Sequence, residues 1–232
     1  MTEEAGPKRA LLVSAHPDDS EFGAAGTVYQ WVRDGWEFYY CICTDGSKGS
    51  EDPDMTAERL VPLRREEQRA AAAVLGVKEV HFLDHVDGEL TYNKDFMRDI
   101  VRLIRKVKPY AVFSHDTGQI VRNIFINHPD HRACGEVTLD AVYPLARNRP
   151  SFPELLEEGL EPYSAKEVYL WSASDTNYET DISDCLDVKF EALSKHASQI
   201  GNMEEMRERL KQFWRDPDGR YVERFRRIPL PF

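Results

Sequence analysis

Two short stretches of the 232-residue chain concentrate residue types that handle metal ions and protons: Ala15-His16-Pro17-Asp18-Asp19 and Asn127-His128-Pro129-Asp130-His131. Both contain His-Pro-Asp, a tripeptide expected about 0.03 times by chance from this composition, so two copies call for an explanation. Neutral imidazole and carboxylate are borderline donors that suit zinc, and three protein ligands plus a water make a catalytic rather than a structural site. His16 and Asp19 lie three apart across a tight turn and can point at one centre, with Asp18 beside them. His128 and His131 are likewise three apart at a predicted helix start, so both can face that centre; one can bind metal while the other handles a proton. Capping accounts for part of the pattern. Asp18 or Asp19 could cap a helix, Asn127 with Asp130 resembles a capping pair, and Pro129 suits a first helical turn. Caps do not require histidine, however, and the three histidines of the two motifs favour metal.

The surrounding pattern predicts the elements that would position these residues. Residues 9–15 (RALLVSA) read as a short buried strand, 21–33 as a helix ending near Asp34-Gly35, and 36–44 as an aromatic strand. A polar loop over 45–54 leads to a helix over 56–75 that ends at Gly76, then a strand over 79–83. Phe96, Ile100, Leu103, Ile104 and Val107 have helical spacing, and Pro109 stops that helix. A strand over 110–114, a long loop over 116–127 and a helix over 129–142 follow. Repeated strand–helix alternation implies an α/β, Rossmann-like fold: a mostly parallel sheet with helices on both faces. Both motifs follow strands, and in such sheets ligand sites form beyond the strands' carboxyl ends. Beyond Pro144 the pattern loosens, resumes as a strand over 168–171, and ends in helices over 186–196 and 203–214.

Length and 41% hydrophobic content suit one domain over residues 1–232, with 201–232 a C-terminal helix and tail. A net charge of −11 argues against nucleic-acid and anionic-membrane partners, and favours a small or neutral substrate. The polar, acidic start resembles neither a signal peptide nor a spanning helix, which predicts a cytoplasmic protein. Cys41, Cys43, Cys134 and Cys185 lack paired spacing and read as buried reduced thiols. His81, His85 and His115, near strand ends, read as hydrogen-bonded structural residues. Met203, Met206, Leu210, Phe213 and Trp214 have helical spacing; they pack on the domain or form a subunit contact, leaving a homo-oligomer open.

The two motifs, in this order and near this separation, resemble the PIG-L (LmbE-like) family of zinc-dependent N-acetylglucosaminyl deacetylases. Arg64, Glu67, Ala71, Leu75 and Gly76 resemble the family's helix, Asp87-Gly88 its following loop, and Asp181-Ile182-Ser183, Lys189 and His196 its C-terminal part, covering roughly residues 8–200. The resemblance implies one Zn²⁺ held by His16, Asp19 and His131, with Asp18 as general base and His128 stabilising the oxyanion. It further implies that Asp130 orients His128 and that Arg64 contacts the sugar. Where family members often carry an acidic residue after the second strand, this chain has Thr44-Asp45-Gly46-Ser47-Lys48-Gly49, and Lys48 alters the local charge. The expected activity is zinc-dependent removal of an N-acyl group, acetyl foremost, from an amino sugar or its conjugate. A close variant is an amidase of sugar-thiol conjugates. Rivals are a non-catalytic sugar- or nucleotide-binding module and a two-metal phosphoesterase. Asp18 and His128 beside three ligands speak against the first, and the lack of an identifiable bridging carboxylate against the second.

Overall fold

The computed structural model describes residues 8–122 and 125–231. The first half alternates as the sequence predicts: β1 (Arg9–Ser14), α1 (Asp19–Arg33), β2 (Glu37–Thr44), α2 (Ala57–Leu75), β3 (Glu79–His85), α3 (Lys94–Val107) and β4 (Ala111–His115). Two-residue strands β5 (Val121–Arg122) and β6 (Phe125–Ile126) follow, then α4 (Pro129–Asp140). The second half contains α5 (Glu154–Glu157), β7 (Glu167–Trp171), β8 (Tyr178–Asp181), α6 (Leu186–Ser194), α7 (Ala197–Ile200), α8 (Met203–Trp214) and β9 (Val222–Pro229).

One seven-stranded sheet runs in the order β3-β2-β1-β4-β7-β9-β8. It is parallel from β3 to β7, while β9 pairs antiparallel with both β7 and β8. Strand order reverses between β1 and β4, so chain connections leave in opposite directions there and open a crevice at the strands' carboxyl ends. The first His-Pro-Asp follows β1, and the second opens α4 after the β5–β6 hairpin.

The period of two along β1 divides the core. Leu11 and Val13 join the side chains of α3 and α4, such as Phe96, Ile100, Ile104 and Val137, on one face. Ala10 and Leu12 join Ala24, Val28, Ala71 and Leu75 of α1 and α2 on the other. Asn93 caps α3 by accepting the Phe96 amide at 2.9 Å, and Gly76 closes α2 with a left-handed φ of 74°. All four cysteines are free and buried. Among the described residues, no helix is long and apolar enough to cross a membrane.

Several boundaries depart from expectation. The loop over 116–127 contains the β5–β6 hairpin, and α4 ends at Asp140, continuing through a wider π-type turn over Ala141–Leu145. β8 and β9 are additions to the predicted elements. Residues of β9 read Val-Glu-Arg-Phe-Arg-Arg-Ile-Pro, which hides the apolar alternation expected of a strand. Glu223 can be buried there because Lys189 of α6 meets it at 2.6 Å.

Candidate metal centre and active site

The chain leaves β1 through His16-Pro17 into Asp18, whose φ of 89° is left-handed. Asp18 supplies its carbonyl oxygen to the amides of Glu21 and Phe22, but its side chain makes no cap on α1. The carboxylate is therefore turned away from helix capping, toward the Arg64 guanidinium at 3.1 Å. Asp19 begins the helix, and its Oδ2 accepts the His16 amide at 2.8 Å.

His128 is itself the N-cap of α4: its Nδ1 accepts the Asp130 amide at 3.2 Å. One turn on, His131 reaches back across the crevice. His16 Nδ1 lies 3.2 Å from His131 Nε2 and 3.3 Å from Asp19 Oδ2, while Asp19 Oδ1 is 3.1 Å from His131 Nε2. A tetrahedral zinc with bonds of about 2.0–2.1 Å keeps its ligand atoms about 3.3 Å apart, the spacing of the two imidazole nitrogens from each other and of each from one or the other Asp19 oxygen. His128 groups with His16 and His131, the ring centroids of His128 and His16 lying 4.8 Å apart in an edge-to-face arrangement.

The outer residues support that fit. With Nδ1 of His16 facing the shared centre, its Nε2 meets Asp130 Oδ2 and Asp87 Oδ1, each at 3.2 Å. A carboxylate behind a histidine fixes the tautomer and turns the other nitrogen toward a metal. The sequence expects Asp130 to orient His128; in the structure its carboxylate meets His16, while its backbone amide donates to His128 Nδ1. The reason is local. Asp130 sits just inside α4, where its oxygens also accept the Gly88 and Leu90 amides at 2.7 and 3.2 Å and so face the 87–90 loop.

Charge follows this arrangement. Burial works against a charged His16, yet the carboxylates of Asp130, Asp19 and Asp87 outweigh it and push its pKa up to about 12. Burial likewise opposes ionisation of Asp19, but His131 and His115 hold its carboxyl well below the usual range. Asp18 is pushed up to about 7, by burial first and the Asp19 charge second, with Arg64 pulling the other way. His128 is pushed down by burial and then by the neighbouring imidazoles. As a neutral ring whose Nδ1 is an acceptor, His128 carries its proton on Nε2.

The sequence reads His115 as structural, yet its Nε2 lies 3.4 Å from Asp19 Oδ2 and its ring stacks on His131 at 4.1 Å. The Trp171 indole donates to its Nδ1 at 3.2 Å, and burial pushes its pKa down to about 4, keeping it neutral. Its position at the carboxyl end of β4, beside the strand-order reversal, was the available signal. Asp87 likewise reads in the sequence only as part of a loop, and the structure sets it against His16. His81 and His85, expected to be hydrogen-bonded, lie instead with Nε2 3.4 Å from Glu79 and 3.7 Å from Asp99, without a hydrogen bond at either atom. Arg64 is 3% exposed, and its Nη atoms donate to Gly46 O and Pro17 O as well as to Asp18. Together with His16, Asp18, His128 and His131 it still lines a cleft of about 340 Å³. At the rim, Lys48 is paired with Glu89 at 2.9 Å.

A Rossmann-like sheet carrying paired His-Pro-Asp motifs at its switch point defines a class, and family comparison agrees with it. The model of the PIG-L family, GlcNAc-PI de-N-acetylase, matches residues 11–142, and the chain belongs to this family. It is 36% identical over 194 residues to the diacetylchitobiose deacetylase of Thermococcus kodakarensis, covering 83% of this chain and 70% of that protein. The solved N,N'-diacetylchitobiose deacetylase of Pyrococcus horikoshii, bound to an inhibitor, superposes with a TM-score of 0.89 at 30% identity, covering 96% of this chain and 84% of that one. The 4-carboxy-2-hydroxymuconate hydratase of Pseudomonas putida KT2440 shares the fold, with a TM-score of 0.78, 22% identity, and coverage of 97% and 98%. Since that fold also serves a hydratase, function is argued from the site.

Proposed function

We propose that the protein is a zinc-dependent hydrolase that removes an N-acyl group, acetyl foremost, from an amino sugar or its conjugate. The observation that carries this reading is the convergence of His16, Asp19 and His131 within 3.1–3.3 Å, with Asp18 and His128 beside them. Kinship with the two diacetylchitobiose deacetylases supports the substrate class.

Held by His16, Asp19 and His131, zinc would supply Lewis acidity that activates a water and polarises the acyl carbonyl. Asp18 accepts the proton as water adds to the carbonyl carbon, and returns it to the amine as the C–N bond breaks. His128 directs its Nε2–H toward the oxygen on which negative charge develops, a donor worth on the order of 10²-fold. Asp130 and Asp87 keep Nδ1 of His16 aimed at the metal position. Arg64 holds the Asp18 carboxylate and is one of the residues lining the cleft in which the sugar would sit. The reading is tested by measuring acetate release from a panel of N-acetylated sugars and sugar-thiol conjugates with zinc-loaded protein. Release from amino sugars is expected; none from any member would refute it.

A further inference from the structure

Asp18 is held in an unusual backbone conformation by side chains that the catalytic reading leaves unused. Its φ of 89° and ψ of −29° lie where a non-glycine residue is strained and persists only if its surroundings impose the conformation. The surroundings here belong to α2. Gln68 Oε1 accepts the Asp18 amide at 3.0 Å, and Gln68 Nε2 donates to both oxygens of Glu21 at 3.0 and 3.2 Å. Glu21 Oε2 in turn meets His196 Nε2 at 3.0 Å. Gln68, Glu21 and His196 are each 0% exposed.

The chemistry of this chain fixes which way the amide points. A carboxylate can only accept and a backbone N–H can only donate, so the Gln68 nitrogen must face Glu21 and its oxygen must face Asp18. A leucine or methionine at 68 would leave the buried Asp18 amide without its acceptor, and an ionised glutamate would set a further carboxylate against Glu21 and Asp18. Arg64 completes the clamp from one turn earlier on α2, donating to Pro17 O at 2.8 Å. With the amide held, the Asp18 side chain faces the cleft; released, an aspartate at the start of α1 would favour an ordinary capping turn.

We propose that Gln68 is a positioning residue for Asp18: by holding the Asp18 amide, it keeps the carboxylate in the cleft and out of a helix cap. This rests on the reading of Asp18 as the proton acceptor. Displacing a reacting group by about 1 Å can cost on the order of 10²-fold, so a partial release should lower kcat by roughly tenfold or more.

The test is a double-mutant cycle on the zinc-loaded full chain, comparing Gln68→Met in the wild-type and Asp18→Asn backgrounds, with bound metal and thermal midpoint measured for each variant. Gln68→Met should lower kcat about tenfold with KM and metal content unchanged, and should cost nothing further once Asp18 is asparagine. Gln68→Ala, which leaves room for a water, enters the same cycle if the methionine variant does not fold. An unchanged kcat, or an equal loss in both backgrounds while Asp18→Asn itself is impaired, would overturn the positioning role alone. Full activity of Asp18→Asn would overturn both the proton-acceptor reading and the positioning that depends on it.

Discussion

Two buried polar clusters flank α1, and they are built on opposite principles. Around Lys189 every demand is met: its ammonium donates to Glu21 O, Phe22 O and Glu223 Oε1, and Glu223 accepts from Gly26, Thr27 and Lys189. One positive and one negative charge, exposed by 0% and 1%, cancel and tie α6 and α1 to β9. Around His16 the carboxylates of Asp19, Asp87 and Asp130 converge on one imidazole, and ring nitrogens of His16 and His131 share one point with Asp19. The first cluster is closed and neutral, whereas the second demands a cation and opens on a cleft. Burial of charge alone therefore does not mark a functional site; unbalanced charge with convergent donors does.

The comparison yields a graded set of expectations. Removing one partner of the closed cluster should have the largest energetic effect: Lys189→Met leaves Glu223 buried without its cation and should cost about 3–5 kcal/mol, read by denaturant unfolding. Metal content of the folded fraction should not change, and a loss of metal there would show that the clusters are not independent. In the open cluster, Asp18→Asn should lower kcat by roughly 10²-fold, about 2.7 kcal/mol of barrier, with bound zinc near wild type by metal analysis. Asp130→Asn should weaken zinc binding by roughly 10–100-fold in a chelator competition, because His16 loses the carboxylate that orients it. The smallest effect belongs to Trp171→Phe, which removes one hydrogen bond to His115, worth about 1 kcal/mol, and should change activity only a few-fold.

How far the sequence could reach is clear from the same residues. Helical spacing and strand–helix alternation foretold β1 to β4, α1 to α3 and α4, because their apolar residues recur in regular runs. The repeated His-Pro-Asp foretold which segments meet, because its residue types have few other uses in that pattern. Direction was harder. Whether Asp130 turns toward His128 or His16 depends on the 87–90 loop that donates its amides, a contact across 40 residues or more. His115 carries no motif, and joins the site only because β4 lies beside β1. Glu223 and Lys189 lie 34 apart, so a charged strand looked like a tail until its counter-charge was in place.

Metal stoichiometry tests the central claim most directly. Purified wild-type protein, saturated with zinc and freed of excess, should hold about one ion per chain, while His16→Ala/His131→Ala should hold almost none. Asp19→Asn should bind weakly and regain metal with added zinc, since it loses one anionic ligand of three. Full occupancy in the double-alanine protein would remove both imidazoles from the metal's coordination and contradict the account.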